Sequence, residues 1–283
     1  MTFSIVARSA DGQSWGVAVA SKFLAVGSAV PAAAAGVGAL ATQAAANVAY
    51  KRDGLALLAT GATADEALQR LLGDDDGREE RQAGIVDAEG RAATFTGAGC
   101  LTWAGGIARD GYALQGNILT GPEVLYEMES AWLGSAPDEP LARRLLAALT
   151  AGDAAGGDSR GRQSAALYVV RAGAGYGGLD DTAVDLRVDD HPAPVGELAR
   201  LLDLNDLYLT ASTEEERIPV TPELRAELDG GAVALGSRDF ASWVGTENYE
   251  MRVAEDGTWI DPKVLAIFRA AAIAPDVTPS RGA

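Results

Sequence analysis

The residue with the clearest potential for chemistry is Thr2, in the opening stretch "MTFSIVARS". Methionine aminopeptidase removes an initiator methionine that precedes a small residue, so the mature chain is expected to begin with Thr2. An N-terminal threonine places a hydroxyl beside an α-amine with an ordinary pKa of about 8, and one residue then supplies both nucleophile and base. Thr2 is therefore a candidate nucleophile for attack on an amide carbonyl; the alternative is an ordinary first residue of a strand.

A hairpin would position this threonine. "TFSIVAR" and "SWGVAVASKF" flank "SADGQ", in which Asp11-Gly12 is a strong turn signal. With the turn centred there, the numbers of paired residues sum to about 23, which places Thr2 across from Ser21 and Lys22. The Lys22 cation would lower the pKa of the Thr2 amine and keep it basic, and Ser21 would contact substrate.

Two blocks offer donors for an oxyanion hole. Asn117 lies in "QGN" at a strand end, and "ATQAAAN" supplies Thr42, Gln43 and Asn47. A side-chain amide aimed at the developing negative charge is one standard solution. We take Asn117 as the catalytic candidate and Gln43 as a substrate contact, although spacing does not rank them and turn or cap chemistry is the alternative.

The segment "GGDSRGRQSAAL" is a candidate substrate loop. Arg160 and Arg162 can hold a substrate carboxylate bidentately, and Asp158 can orient the α-amine or one of these arginines. Gln163 begins the next strand and can point into the same cleft. The alternative is a solvated loop with an Asp–Arg surface pair.

Thiol and metal chemistry are disfavoured. The single cysteine, Cys100, and the single histidine, His191, lie far apart in sequence, so Cys100 is interpreted as a structural thiol and His191 as a turn residue. The same two residues cannot build a Cys/His zinc site. Glu79 and Glu80 in "REERQ" favour a solvated helix end over a cation site. We predict neither a metal nor a cofactor.

Charge and composition narrow the partners. The 283 residues carry a formal net charge of −17, with 48% hydrophobic and 22% charged residues. Such acidity argues against nucleic acid and anionic membranes, because both are polyanions. No targeting segment is visible, and we expect a cytoplasmic protein that acts on a small molecule. The low aromatic content also favours a homo-oligomer that buries a helix layer.

The order of elements indicates the fold class. After the hairpin, the pattern predicts a third strand at "GVGALATQAA", two helices, four strands that form a second meander, two helices, two strands and a helix. Strands in hairpins and helices in pairs predict an α+β protein, a four-layer αββα sandwich of antiparallel sheets.

The texture of the chain changes after Leu209. The stretch "TASTEEERIPVTPE" is acidic and contains two prolines, which predicts a linker. We therefore divide the chain into a domain at 1–208 and a small C-terminal α/β domain at 209–283.

Several blocks in order resemble one family. "MTFSIVARS", "GREERQAGIVDAEGRAATFTGAGC", "GYALQGNILTG" and "AGGDSRGRQSAALYVVR" look like the domain-of-unknown-function family 1028 (DUF1028), which is assigned to the N-terminal nucleophile (Ntn) hydrolase fold. The resemblance covers about residues 1–208. It implies an αββα sandwich with a catalytic N-terminal residue, here Thr2. The tail, with "WVGTENYEMR", resembles the peptidoglycan-binding-like domain that often follows.

Ntn enzymes mostly cleave amide-type C–N bonds, so the resemblance implies an amidohydrolase by analogy of fold. Together with the arginines, this predicts hydrolysis of a small, carboxylate-bearing substrate. The alternative is a non-catalytic protein on the same fold that binds a metabolite or a cell-wall fragment.

Overall fold

The computed structural model describes residues 2–273. The chain forms two compact units, the first ending at Leu202 and the second beginning at Asp203. The strands are β1 (Thr2–Arg8), β2 (Ser14–Ser21), β3 (Pro31–Ala34), β4 (Gly38–Ala44), β5 (Arg81–Asp87), β6 (Ala92–Thr96), β7 (Gly105–Arg109), β8 (Tyr112–Asn117), β9 (Ser164–Arg171), β10 (Thr182–Val188), β11 (Ile218–Pro219) and β12 (Trp259–Ile260). The helices are α1 (Val26–Ala29), α2 (Ala49–Ala59), α3 (Ala64–Gly73), α4 (Glu123–Gly134), α5 (Leu141–Ala154), α6 (Pro194–Tyr208), α7 (Pro222–Ala234), α8 (Phe240–Glu247) and α9 (Pro262–Ile273).

The N-terminal hairpin has the predicted register. Gly12 adopts a φ of 70° in the turn, a left-handed conformation that glycine takes without steric cost. The antiparallel pairing sets Phe3 opposite Ala20, so the next pair toward the chain start is Thr2 and Ser21. The turn signal therefore predicted correctly which residues face each other.

Within residues 2–273, the first unit holds two antiparallel sheets. One has the strand order β10-β9-β2-β1-β8-β7, and the other has the order β3-β4-β5-β6. The α+β class with antiparallel sheets is thus confirmed. The predicted second meander is wrong, because β5 and β6 belong to the four-stranded sheet while β7 and β8 belong to the six-stranded sheet. The connection from β6 to β7 crosses between the sheets.

Alternation along β1 explains how the six-stranded sheet packs on both faces. Phe3 and Ile5 lie on one face in an apolar cluster with α4, α5 and the start of α6. Val6 lies on the other face, in a cluster that joins the two sheets. Because successive side chains point to opposite faces, every second residue of β1 lies between the sheets.

The four-stranded sheet is covered by α2 and α3. Leu40 and Ile85 of the sheet pack with Leu68 of α3. Helix α3 begins at the predicted capping box, in which the Thr63 hydroxyl accepts from the Glu66 N–H and the Glu66 carboxylate accepts from the Thr63 N–H. Apolar clusters thus lie on both faces of both sheets.

Over residues 203–273, the second unit is mostly helical, and its paired strands form the short ribbon β11–β12. Its core forms around Trp243 and Phe268. The predicted linker is wrong: Ile218 pairs with Ile260, and the Ser212 hydroxyl donates to the buried Asp261 carboxylate at 2.7 Å. An acidic, proline-containing composition suggested a linker, whereas these contacts tie the segment to the second unit.

Candidate functional site

Thr2 lies at one end of the interface between the two sheets. Its side chain is on the same face of β1 as Ser4 and Val6, and the residue is only 6% exposed. The Thr2 hydroxyl oxygen is 3.1 Å from the Ser21 hydroxyl oxygen, and Asn117 is the register partner of Thr2 on β8. Strand pairing on both sides of β1 thus brings three predicted site residues together.

Four buried carboxamides continue this polar region between the sheets, and we call them the interior amide cluster: Gln43, Gln82, Gln115 and Asn117. Gln43 and Gln82 come from the four-stranded sheet, whereas Gln115 and Asn117 come from β8 of the six-stranded sheet. Buried amides require partners, so the cluster holds the two sheets together through hydrogen bonds at this end.

The Gln43 side chain contacts the backbone of Thr2, the candidate nucleophile. Its Nε2 donates to the Thr2 carbonyl oxygen at 3.2 Å and to the Gln82 Oε1 at 2.8 Å. Its Oε1 accepts from the Ser4 hydroxyl at 2.7 Å. The structure therefore places Gln43 as a support for β1, with its amide engaged on both sides.

Gln115 fills the space between the sheets because Gly84 lacks a side chain. A Cβ at Gly84 would lie 1.9 Å from the Gln115 Oε1, so alanine cannot be accommodated without a shift. The Gln115 Nε2 donates to the Ser4 hydroxyl at 2.6 Å, while its Oε1 has no hydrogen-bond partner among the described residues. The close approach of Gln115 from the opposite sheet thus favours a residue without a side chain at position 84.

Asp158 lies across the end of β1. Its Oδ2 accepts from the Lys22 N–H at 2.7 Å, just beyond the end of β2, and Asp158 also forms an isolated bridge with Leu119, just beyond β8. Residues 157–159 therefore lie at the N-terminal end of β1, in the gap between its neighbouring strands β2 and β8. This places a buried carboxylate near Thr2.

The other predicted loop residues are engaged with acidic groups. The Arg160 guanidinium lies 3.3 Å from the Asp158 carboxylate, which also accepts from the Arg160 N–H at 2.9 Å. Arg162 donates to the Asp153 carboxylate at 2.6 Å, and this bond raises the pKa of its guanidinium.

Two further predicted residues, Gln163 and Lys22, flank the site. The Gln163 amide donates to Asp190 at 3.1 Å. Lys22 has an exposed side chain next to Ser21. The buried site thus contains Thr2, Ser21, Asn117 and Asp158, and the glutamines of the interior amide cluster adjoin it. Arg160 pairs with Asp158, whereas Arg162 and Gln163 bond other acidic residues and Lys22 is exposed.

Two site residues are followed directly by a strained backbone position. Ala44, after Gln43, has a φ of 66°, and Ile118, after Asn117, has a φ of 51°. Left-handed φ is uncommon outside glycine and is a real outlier for a β-branched residue such as isoleucine. Strain of this kind concentrates at functional sites, where surrounding contacts maintain it. Its position supports the assignment of this end as the functional one.

Gln82 and Gln115 are absent from the predicted site. A signal was present, since each is a polar residue at an inward position of its strand, two residues from Gly84 or Ala113 on the same face, in "RQAGIVD" and "YALQGN". Period-two alternation marks such a residue as buried, and a buried amide needs partners. Only the pairing of distant strands shows that the two glutamines belong to one cluster.

A second polar cluster lies beside the site. Asp75 accepts from the Asn47 amide at 2.9 Å, from the Tyr50 hydroxyl at 2.8 Å and from the Arg81 guanidinium at 3.0 Å. The bond from Arg81, followed by that from Asn47, holds the pKa of Asp75 well below its usual range. Cys100 is half-buried, burial raises the pKa of its thiol, and the thiol donates to the Arg81 carbonyl oxygen.

We expect Asp75 to make the stability of the first unit pH-dependent. Because its pKa is lower in the folded chain, its contribution is fully present above the unfolded pKa of about 4. The contribution is lost progressively as the pH falls from there towards the lower folded pKa. Urea unfolding from about pH 6 to about pH 3 should show a smaller loss in Asp75→Asn than in the wild type. The exposed Asp53 is the control, and an unchanged slope in Asp75→Asn would contradict the assignment.

A cavity of about 270 Å³ lies away from Thr2, at the side where β3 approaches β9 and β10. Lys51, Tyr168, Asp185 and Arg187 supply polar groups to its wall. The Lys51 ammonium donates to the Ser28 carbonyl oxygen at 2.9 Å, and burial, together with the Arg187 charge, lowers the pKa of Lys51. The cavity is therefore polar and is a separate region from the Thr2 site.

Residues 2–273 contain no group of three or more His, Cys, Asp or Glu side chains placed to hold a metal ion. None of the helices described is both long and apolar enough to cross a membrane.

Comparisons with known proteins identify relatives. Residues 2–198 match the sequence model of DUF1028, described as a family of unknown function. Protein SPO2555 from Silicibacter pomeroyi, whose crystal structure is assigned to the same family model, is 32% identical, with a TM-score of 0.65 over 72% of this chain and 89% of that chain. No curated protein matches the sequence.

Proposed function

This chain belongs to DUF1028, a family of unknown function, and we propose that it is an N-terminal nucleophile hydrolase with Thr2 as its nucleophile. The observation that carries the proposal is the surroundings of Thr2. The Thr2 side chain is buried, and its hydroxyl oxygen lies 3.1 Å from the Ser21 hydroxyl oxygen. Asn117 is the register partner of Thr2 on β8, and Asp158 lies across the end of β1. A buried hydroxyl, an amide and a carboxylate at a chain start supply the groups that amide hydrolysis requires.

The layers support the same assignment. One apolar cluster lies between α4–α5 and the six-stranded sheet, one between the sheets, and one between the four-stranded sheet and α2–α3. We infer from these clusters a four-layer αββα sandwich of the Ntn type. The resemblance of the tail leads us to propose that a peptidoglycan-binding-like domain, residues 209–283, follows this hydrolase domain.

The first chemical step forms an acyl-enzyme. The Thr2 Oγ1 attacks the substrate carbonyl carbon while its proton passes to the Thr2 α-amine. Negative charge develops on the carbonyl oxygen, and the Asn117 Nδ2–H donates to it. The C–N bond then breaks, and the leaving nitrogen takes the proton from the α-amine, so the leaving group departs as a neutral amine.

The second step restores the enzyme. A water molecule gives its proton to the Thr2 α-amine and attacks the acyl carbon, and the ester bond to Oγ1 breaks. Oγ1 recovers a proton, and the product leaves as a carboxylic acid. In this proposal the Lys22 charge favours the neutral amine, Asp158 orients that amine, and Arg160 binds the acidic group of the substrate.

The alternative function is binding without catalysis, and the cavity beside Lys51 favours it. The Arg187 guanidinium in the cavity wall is paired with the Asp185 carboxylate at 2.9 Å, and the Lys51 ammonium adds a further positive charge. This net positive lining suits a small anionic metabolite. This alternative needs no processed N-terminus, so the state of Thr2 separates the two functions.

The N-terminus of the purified protein tests the proposal directly. Intact-mass measurement is expected to show a chain that begins at Thr2. Periodate should then cleave its Cα–Cβ bond, because it oxidises 1,2-amino alcohols, and leave a glyoxylyl group with release of acetaldehyde and ammonia. The Thr2→Val protein, equally processed, should not react. Retention of Met1 in the wild type would remove the α-amine from the mechanism and reject the proposal.

A further inference from the structure

We propose that Gln82 is a positioning residue for the reaction, which fixes the orientation of the Asn117 amide that stabilises the oxyanion. The inference rests on the proposed function and adds a residue outside the predicted site. Gln82 is fully buried in β5, on the sheet opposite Thr2. Because it is shielded from substrate, it acts through Asn117.

The orientation of the Gln82 amide is set by backbone oxygens. Its Nε2 donates to the Gly116 carbonyl oxygen at 2.7 Å and lies 3.1 Å from the Gly105 carbonyl oxygen. The Thr96 hydroxyl oxygen is a further partner at 2.9 Å. Carbonyl oxygens only accept hydrogen bonds, so a flipped amide would set oxygen against oxygen. The nitrogen must therefore face these carbonyls, which leaves Oε1 as the acceptor.

Gln82 then dictates the orientation of its two amide neighbours. Its Oε1 accepts from the Gln43 Nε2 at 2.8 Å and from the Asn117 Nδ2 at 2.8 Å. Reversing Asn117 would put its Oδ1 against this oxygen, so its nitrogen is held in place. The Asn117 Nδ2 carries two hydrogens, and one of them is given to Gln82. The other is the donor that the oxyanion requires.

This arrangement couples the two sheets at the site. Gln43, bound to the same oxygen, also donates to the Thr2 carbonyl oxygen. One carboxamide in the four-stranded sheet thus orients the predicted oxyanion donor and, through Gln43, supports the strand that carries the nucleophile. Donors of this kind stabilise a transition state only when they are held in advance at the position where charge develops.

The test uses 4-nitrophenyl acetate as an acyl donor with the full-length processed chain. The Thr2 oxygen takes the acetyl group, the α-amine takes the hydroxyl proton, and 4-nitrophenolate leaves with the bonding electron pair. Stopped-flow absorbance gives the acylation rate constant and the half-saturating concentration of the ester. Intact mass and peptide mapping give the acetylated residue.

Three variants separate positioning from packing. Gln82→Met keeps the length of the side chain but removes the acceptor. We expect the acylation rate constant to fall by about 10- to 100-fold, which is a smaller loss than deletion of an oxyanion donor causes. The half-saturating concentration of the ester should stay unchanged. Gln82→Glu retains an oxygen for Asn117. Burial beside carbonyl oxygens favours the protonated carboxyl, whose O–H can donate to the Gly116 carbonyl oxygen, so this variant should recover most of the rate. Gln115→Met is the control, because Gln115 is as deeply buried but its side-chain amide bonds Ser4.

The outcomes are distinct. Equal losses in Gln82→Met and Gln115→Met, or a wild-type rate in a folded Gln82→Met, would overturn the positioning role. Should Gln82→Met fail to fold, Gln82→Glu provides the test. If its acylation rate constant falls as far as that of Asn117→Ala, the positioning role is likewise overturned. If the wild type itself is not acetylated at Thr2, the proposed function fails, and the positioning role fails with it.

Discussion

Thr2→Ala is expected to abolish the rapid acetylation of the protein by 4-nitrophenyl acetate, with a fall in rate of at least about 10³-fold, as removal of an enzyme nucleophile causes. The physical reason is that Thr2 supplies the only oxygen that the proposal uses to attack the carbonyl, while its backbone continues to pair with β2 and β8. Stopped-flow release of 4-nitrophenolate measures the rate.

Two matched variants complete this prediction. Thr2→Ser keeps the hydroxyl and the α-amine and should retain acetylation at position 2. Thr2→Val keeps the shape and the processed N-terminus but lacks the oxygen, so it should behave like Thr2→Ala. Rapid acetylation of the Thr2→Val protein at wild-type rate would show that another group is the nucleophile.

The second large effect concerns stability, in the second unit. Arg252→Ala should lower the free energy of unfolding of this unit by about 3–5 kcal/mol, because it leaves the Asp261 carboxylate buried without its cation. The Arg252 guanidinium lies 2.9 Å from the Asp261 Oδ2, and both side chains are nearly inaccessible. Burial raises the pKa of Asp261, but bonds from Ser212, from the Lys263 N–H and from Arg252 outweigh it and lower that pKa. Hydrogen exchange of the α9 amides measures the change.

An exposed pair in the same unit provides the control. The Arg269 guanidinium donates to the Glu227 carboxylate at 2.6 Å, and about half of each side chain is exposed to solvent. Exposed pairs contribute little because water competes for both charges. Arg269→Ala should leave exchange in α9 unchanged beyond local fraying, and equal effects of the two arginine variants would contradict the role of burial.

Local signals predicted the parts of the fold that depend on neighbouring residues. Asp11 and Gly12 placed the first hairpin with its register, and Thr63 with Glu66 marked the start of α3. Both signals act over a few residues, so their physics is contained in short stretches of sequence. The run of small residues after Lys22 gave no such signal, and α1 and β3 within it were not distinguished.

Sheet membership depends on distant contacts, which explains the error in the second meander. Turns after β5 and β7 looked alike, but β5 pairs with β4 whereas β8 pairs with β1. No property of the connecting residues 97–104 states that they cross from one sheet to the other. Pairing between strands that are far apart in sequence determines which sheet each strand joins, and local patterns in a single sequence do not reveal that pairing.

The same distinction applies to the site. Thr2, Ser21 and Asn117 were expected together, and backbone pairing brings them together. Arg162 and Gln163 were expected at the substrate, but their side chains bond Asp153 and Asp190. A long polar side chain can bond several alternative partners, and the tertiary structure determines which of them lie within reach. The chemical roles of these residues remain predictions.

The interior amide cluster also has a spectroscopic consequence. Each of its side-chain NH₂ groups gives a pair of proton resonances on one nitrogen, and buried, bonded groups exchange their protons with solvent slowly. In a ¹⁵N-labelled sample in D₂O, the amides of Gln43, Gln82 and Asn117 should therefore outlast those of exposed asparagines and glutamines. Their chemical shifts would report how a small molecule perturbs the Thr2 end of the sheets before any substrate is known.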